Sequence, residues 1–462
     1  MESGLFPPND PENPQLWPLY KKIYTSLFGA TAFSQGIPIF EAEFFPEAAQ
    51  SKDPKIANNP IQAIVAFSLY IFGIFFAPIL TPHMTERLGR RPTYFAGIIL
   101  NALFVLGTAR ARTYASIAVC RFFAGFFGGP IAVLVEGTFA DLWSALFTST
   151  YYIFIMASQY FGAAAGAIVG GAIVLEKGDW RWTAYIHMML AAGALVYGAF
   201  MPETFPRTII RRRARKSHVP DHLPEAPTGT KIRTMARLTV TDPIIMLFSE
   251  PLVIIISLFL SLNFGVLFTA FVAVPSTLSA GGFDARQIGL AFFGPFGGAA
   301  LAGFFVLVID QITARQARAK YHRNMSIEFR MVPPMLGAVL MPGALFWIGW
   351  TTRAGSDFPA AVPIAGVGVY VCGSAMTLLG FISYIFDAYP PQATLSALTI
   401  MACTRVVSAG WFVLYVPIAV LNIPSQWVFG IWGIIAITFM PIPFVIYKWG
   451  ESMRKRSSYT LL

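Results

Sequence analysis

The sequence predicts an all-α membrane protein of twelve transmembrane helices arranged as two six-helix bundles, and three observations predict it. First, 56% of the 462 residues are hydrophobic and 12% are charged, roughly half the charged share of an ordinary soluble domain. Thirty-three Lys and Arg with 23 Asp and Glu cannot coat the surfaces of two or three soluble domains, and the mean hydropathy is +0.61. Second, twelve stretches are apolar over roughly the length that a helix needs to cross a bilayer. They are 23–40, 61–81, 93–109, 115–137, 150–175, 183–201, 251–275, 289–310, 331–350, 361–386, 394–421 and 427–447. Third, the longest polar interruption, 202–250, separates the first six from the last six.

Each element follows in order. Residues 1–22 are polar and Pro-rich with no apolar run at the start, so a cytoplasmic tail is expected in place of a cleaved signal. Residues 23–201 form the first six-helix bundle, 202–250 a cytoplasmic linker, 251–447 the second bundle and 448–462 a cytoplasmic tail. Pro202, Pro206, Pro220, Pro224 and Pro227 and the run RRRARK at 211–216 mark the linker. With the N-terminus inside, 23 of the 33 Lys and Arg residues fall on cytoplasmic segments and eight on outer ones, as the positive-inside rule requires. No segment alternates polar and apolar residues with period two, which excludes an outer-membrane barrel.

The same counts exclude other classes. The net charge of +10 sits at the ends of apolar runs, where lipid and insertion explain it and nucleic acid is not needed. Cys120, Cys372 and Cys403 all lie within apolar stretches, so neither a disulfide framework nor a metal site is expected. No nucleotide-binding loop, hydrolase motif or cofactor motif is present. An enzyme is therefore not expected, and the driving force has to come from ion gradients or from the solute.

The most specific local pattern is ERLGRRP at 86–92. Glu86, Arg87, Gly89, Arg90 and Arg91 place mixed charge on a loop too short to wander, suited to gating by pairing with helix ends; ordinary basic anchoring is the alternative. PHMTERLGRR at 82–91 resembles the loop motif of the fungal twelve-span drug:proton antiporters of the major facilitator superfamily, with Pro82 in the place of its leading glycine. CRFFAGFFGG at 120–129 is similar to the fourth-span arginine motif, and MPETF at 201–205 to the end of span six. DPENPQLW at 10–17, EFRMVPP at 328–334 and FDAYPP at 386–391 are also similar to fungal members. The resemblance implies the major facilitator fold, transport across the plasma membrane and a proton-transfer role for Arg121.

Candidate site residues are those whose polarity is costly within a span. Glu136 joins Arg121 as a proton-coupling candidate, because burial shifts carboxyl groups toward the working pH range. Asp310, Asp387 and Glu41 lie at span ends, where a solvated terminus is the simpler reading. Gln35, Gln159, Tyr160, Asn263, Phe264, Tyr370 and Arg405 are the candidates for solute contact around a midplane cavity. Gly162, Gly166, Gly170 and Gly171 provide a helix-packing face in span five. There Gly166-Ala167 stands where the antiporter motif carries Gly-Pro, which keeps proton symport or facilitated uptake open as an alternative.

The expected function is proton-coupled efflux of amphiphilic small molecules such as drugs, fungicides or fungal secondary metabolites. The alternatives are an uptake carrier and a non-transporting membrane sensor. The expected partners are the solute, protons and the lipid bilayer, with no cofactor, no metal, no nucleic acid and a monomeric chain.

Overall fold

The computed structural model describes residues 60–142, 181–217, 236–280, 285–321, 327–352 and 358–457, with parts of 10–25 and 162–179 and a few isolated positions. The described residues form helices and connecting turns, with no strand. Among the described residues eight helices are long and apolar enough to cross a bilayer, and a bent helix pair makes nine if it is counted as one span. The predicted spans 23–40 and most of 150–175 lie outside the described residues.

The bent pair is α1 (Pro60–Ile74) and α2 (Ala77–Leu88), which meet at 43°. Pro78 explains the bend. It has no N–H to donate to the Ile74 carbonyl, and its ring crowds the preceding turn. α3 (Arg90–Arg110) follows after Gly89 alone, and α4 runs from Tyr114 to Leu142. The 86–92 segment is therefore not a loop. Glu86 and Arg87 close one helix, Arg90 and Arg91 open the next, and Gly89 turns the chain with φ 94°. That left-handed backbone disfavours side chains, and a Cβ at this position would also lie 2.5 Å from a Glu203 oxygen.

α5 (Arg181–Gly198) ends the first set of spans. The expected plain linker contains two structured pieces. α6 (Pro206–Ser217) carries the basic run, and a π-turn over Arg237–Thr241 leads into α7 (Asp242–Ser249). The second set comprises α8 (Pro251–Ala280), α9 (Ala285–Ala291), α10 (Phe293–Tyr321), α11 (Val332–Thr351), α12 (Ala361–Ala388), α13 (Pro391–Asn422), α14 (Ser425–Phe439) and α15 (Ile442–Lys455).

The two sets repeat one packing scheme. α4 packs on α1 and α3, and α3 on α5; in the same order α12 packs on α10 and α11, and α11 on α14. Glycines permit the tightest crossings. A Cβ on Gly125 would lie 2.0 Å from the Tyr70 carbonyl oxygen, joining α4 to α1, and one on Gly298 would lie 2.0 Å from the Gly368 carbonyl, joining α10 to α12. α1 of the first set packs on α13 of the second, where the Cys403 Sγ lies 3.7 Å from the Phe75 carbonyl and Phe72 meets Trp411 edge-on. Large apolar side chains such as Val196, Phe304 and Trp411 are exposed on the outer surface, a pattern suited to lipid rather than water.

Candidate functional site

The basic face is organised around carboxylates. The Glu203 side chain is 5% exposed. Its Oε1 accepts the backbone N–H groups of Arg90, Thr204 and Phe205 at 2.9, 3.1 and 3.0 Å, and its Oε2 accepts that of Arg91 at 3.4 Å. One carboxylate thus satisfies the N-terminal donors of α3 and of the turn entering α6, where the helix dipole favours negative charge. Arg90 makes a bidentate pair with Asp141 at the end of α4, at 2.5 and 3.1 Å, over Gly137, which leaves room for the guanidinium. Arg91 donates to the Ala199 carbonyl at 2.7 Å. Glu86 receives Arg207 and Arg211 of α6 at 3.2 and 3.5 Å, while Arg87 is exposed. Four of the five predicted gating residues thus share one network.

Sequence reasoning did not pair Glu203, Asp141 or the linker arginines with that motif. Their signals were present in MPETF and RRRARK, but pairing across 50 to 125 positions is a property of the fold. The tail joins as well: Arg213 donates to Asp10 at 2.7 Å and to Glu12 at 2.8 Å. The Arg213 guanidinium holds the Asp10 carboxyl below its ordinary value.

The second set carries the matching clasp. Arg330 pairs with Asp387 at 2.9 Å, at the start of α11 and the end of α12, the places that Arg90 and Asp141 hold in the first set. Asp387 is therefore an ion-pair partner and not only a solvated helix end. Glu328 pairs with Arg454 at 2.6 Å, and Arg454 also donates to the Tyr384 hydroxyl at 3.0 Å.

In the core, Arg121 is 7% exposed, which excludes a guanidinium that runs along lipid to the aqueous boundary. Nearby in the first set, the Asn101 amide donates to the Ala124 carbonyl at 2.8 Å, and the His187 Nε2 lies 2.8 Å from the Asn101 Oδ1. This buried polar pair carried no sequence signal beyond its position within apolar spans.

Asn263 and Phe264 are adjacent in sequence and separate in space. Asn263 is buried inside the second set, where it donates to Thr377 at 3.2 Å and accepts from the Tyr370 hydroxyl at 2.9 Å. Both predicted contact residues, Asn263 and Tyr370, line a small cavity with Phe259, Met341, Leu345 and Trp432. Phe264 instead lies beside Phe268, their rings tilted by 40° with centroids 6.0 Å apart, and Phe268 meets Phe67 of α1 with centroids 6.4 Å apart. The Arg405 guanidinium lies 5.0 Å from the Phe264 ring centroid. Glu136, on α4 of the first set, interacts electrostatically with Arg405 on α13 of the second. Thus the fold sets Arg405 against Phe264 and sends Asn263 and Tyr370 elsewhere.

Gly162, Gly166 and Gly170 are buried and helical. Gln35, Glu41, Gln159, Tyr160 and Gly171 lie outside the described residues, as does the Asp310 side chain. The three cysteines are free, and no metal-binding group of His, Cys, Asp and Glu occurs among the described residues.

Tandem sets of helices with one packing scheme, clasped by carboxylate–arginine pairs on a single face and meeting around buried charges, define a two-bundle membrane carrier. The chain belongs to the Major Facilitator Superfamily, whose family model matches residues 25–413. It is 28% identical to the MFS-type transporter traF of Penicillium crustosum, covering 98% of this chain and 92% of that one. It is 27% identical to the efflux pump FUB11 of Gibberella moniliformis, covering 98% and 77%. Among solved structures, the proton:xylose symporter XylE bound to 6-bromo-6-deoxy-D-glucose matches with a TM-score of 0.66 at 15% identity, over 93% of this chain and 95% of that one. That likeness confirms the expected fold.

Proposed function

We propose that this transporter exports amphiphilic small molecules in exchange for protons, by alternating access of the 23–201 and 251–447 bundles around a vestibule lined by Glu136, Arg405 and Phe264. The observation that carries the reading is a half-buried carboxylate within a span of one helix set, Glu136, and a guanidinium set against the Phe264 ring within a span of the other, Arg405, charges that are costly in a membrane unless they serve transport. Similarity to two fungal efflux pumps supports the direction.

Glu136 is the proton site and Arg405 the charge it answers to. Arg121, buried on the same helix as Glu136, is a second polar group on the proton route. The Glu86–Arg90–Glu203 network and the Arg330–Asp387 pair hold the inner ends of the helices together until the bundles rock. The driving force suffices. About 2.3 kcal/mol per 100 mV plus about 1.4 kcal/mol per pH unit supports a solute gradient of several hundred-fold or more per proton.

The membrane is the plasma membrane, both termini are cytoplasmic, and a single chain suffices. Purified protein in proteoliposomes, loaded with fluorescent amphiphiles of differing charge, tests the reading. An imposed proton gradient should accelerate solute movement against the proton flow, and a protonophore should abolish the acceleration. Flux indifferent to the gradient would overturn the coupling.

A further inference from the structure

Residues 242–249 belong to the polar linker by sequence, yet α7 turns its apolar side away from the protein. Asp242, Pro243 and Met246 are buried, and the helix packs on α13. Ile244, Ile245 and Phe248 are exposed, Phe248 to 79%, as is Val240 in the preceding turn. At about 100° per residue the three exposed positions of α7 share one arc and the three buried ones the arc opposite. A helix that faces water shows the reverse arrangement. Two hydrogen bonds hold α7 this way round. The Ser396 hydroxyl donates to the Leu238 carbonyl at 2.7 Å before it, and the Tyr389 hydroxyl donates to Glu250 at 3.2 Å after it.

The position of α7 identifies what covers this face. Glu250, in an extended conformation, separates it from α8. The crossing Pro251–Val274 has 24 residues; its length of about 36 Å already exceeds a hydrocarbon core of about 30 Å. α7 therefore lies at the membrane boundary, on the face where Arg330 pairs with Asp387. Its flank is basic: Arg233 is exposed, and so is Arg237 even while it pairs with Asp242 at 3.1 Å. The first set repeats the arrangement just before the predicted span 23–40. There the turn Pro14–Leu16 packs on α4, the counterpart of α12, with Leu16 exposed, Tyr20 75% exposed, and Lys21 and Lys22 following.

From this placement we infer that α7 is an interfacial helix seated in the bilayer leaflet at the basic face. Ile244, Ile245 and Phe248 lie among the acyl chains just below the headgroups, and Arg233 and Arg237 among anionic phosphates; residues 16–22 are the counterpart under the first set. Acyl chains cover an outward apolar stripe that water would penalise, and the basic flank suits an anionic leaflet. One bilayer covers both sites at once, whereas a second copy or a soluble partner would need a separate interface at the foot of each helix set. The inference depends on the chain's place in a membrane and not on which solute it moves.

The test uses the unaltered full chain in vesicles of equal parts phosphatidylcholine and phosphatidylserine. Two photoreactive phosphatidylcholines are compared, one with a diazirine beside the acyl ester and one with it at the chain terminus. Peptide mass spectrometry after photolysis should find the shallow probe on residues 240–248 and 16–20. The deep probe should favour Leu301, an exposed residue within the crossing Ile288–Ile309. Labelling of 240–248 by a water-soluble diazirine in place of the lipids overturns the assignment. So does the absence of label from every reagent, as under a second copy or a soluble partner. Phe248→Asp should lower the shallow-probe yield on Ile244 and Ile245 by about tenfold, the factor that burial of one large ring supplies, with the Leu301 yield unchanged as the check on folding. An undiminished yield in that variant counts against Phe248 as the anchor.

Discussion

Replacing Glu203 by Ala removes one buried carboxylate that closes two helix starts. In the native chain this group accepts four backbone N–H groups within 3.4 Å, two on Arg90 and Arg91 and two on Thr204 and Phe205. Each lost cap costs about 1 kcal/mol, and each lost charge–dipole contact about 0.3–1 kcal/mol. The combined local cost is about 2–4 kcal/mol. Local opening should then become about 30- to 1,000-fold more frequent. Hydrogen exchange at the Arg90, Arg91, Thr204 and Phe205 amides reads this directly, with the α11–α12 contact as an unaffected reference. Glu203→Gln, which keeps one oxygen, should fall between the two. If exchange at these four amides stays within about threefold of the native rate, the cap is not what orders the 86–92 joint, and its role in the gate falls with it.

Three further outcomes are expected. Asp141→Asn should destabilise the protein by about 3–5 kcal/mol, because it strands a largely buried Arg90, whereas Asp387→Asn should cost at most about 1 kcal/mol, because that carboxylate is 40% exposed; thermal melting in detergent compares them. Gly125→Val should prevent assembly of α1 on α4, since its Cβ would meet the Tyr70 carbonyl, while Gly193→Ala meets nothing within 4 Å and should melt like the native protein. Protease resistance of the 10–17 tail reports its clasp on Arg213. Because Asp10 is held below its ordinary value of 3.8, that stabilisation is complete above about pH 4 and should vanish only as the pH falls through the depressed value. Release of the tail at pH 6 would contradict this assignment.

Hydropathy placed most of the described crossings to within a few residues, though the bent pair and the last span run seven or eight residues further than expected, because lipid admits no unsatisfied backbone and a helix must supply its own partners. The fold class was therefore legible in the chain itself. What the tertiary structure decided was which side chains share a space. Nothing in the order of residues 263 and 264 says that the asparagine turns to Tyr370 and Thr377 while the phenylalanine turns to Arg405. The roughly 100° step between neighbours on a helix becomes meaningful only once α8 is oriented. In the same way Phe264 and Arg405, 141 positions apart in the sequence, meet only through the packing of α8 on α13. Burial energy depends on composition and can be summed along a chain. Charge pairing depends on distance in space, and that distance exists only after the helices have assembled.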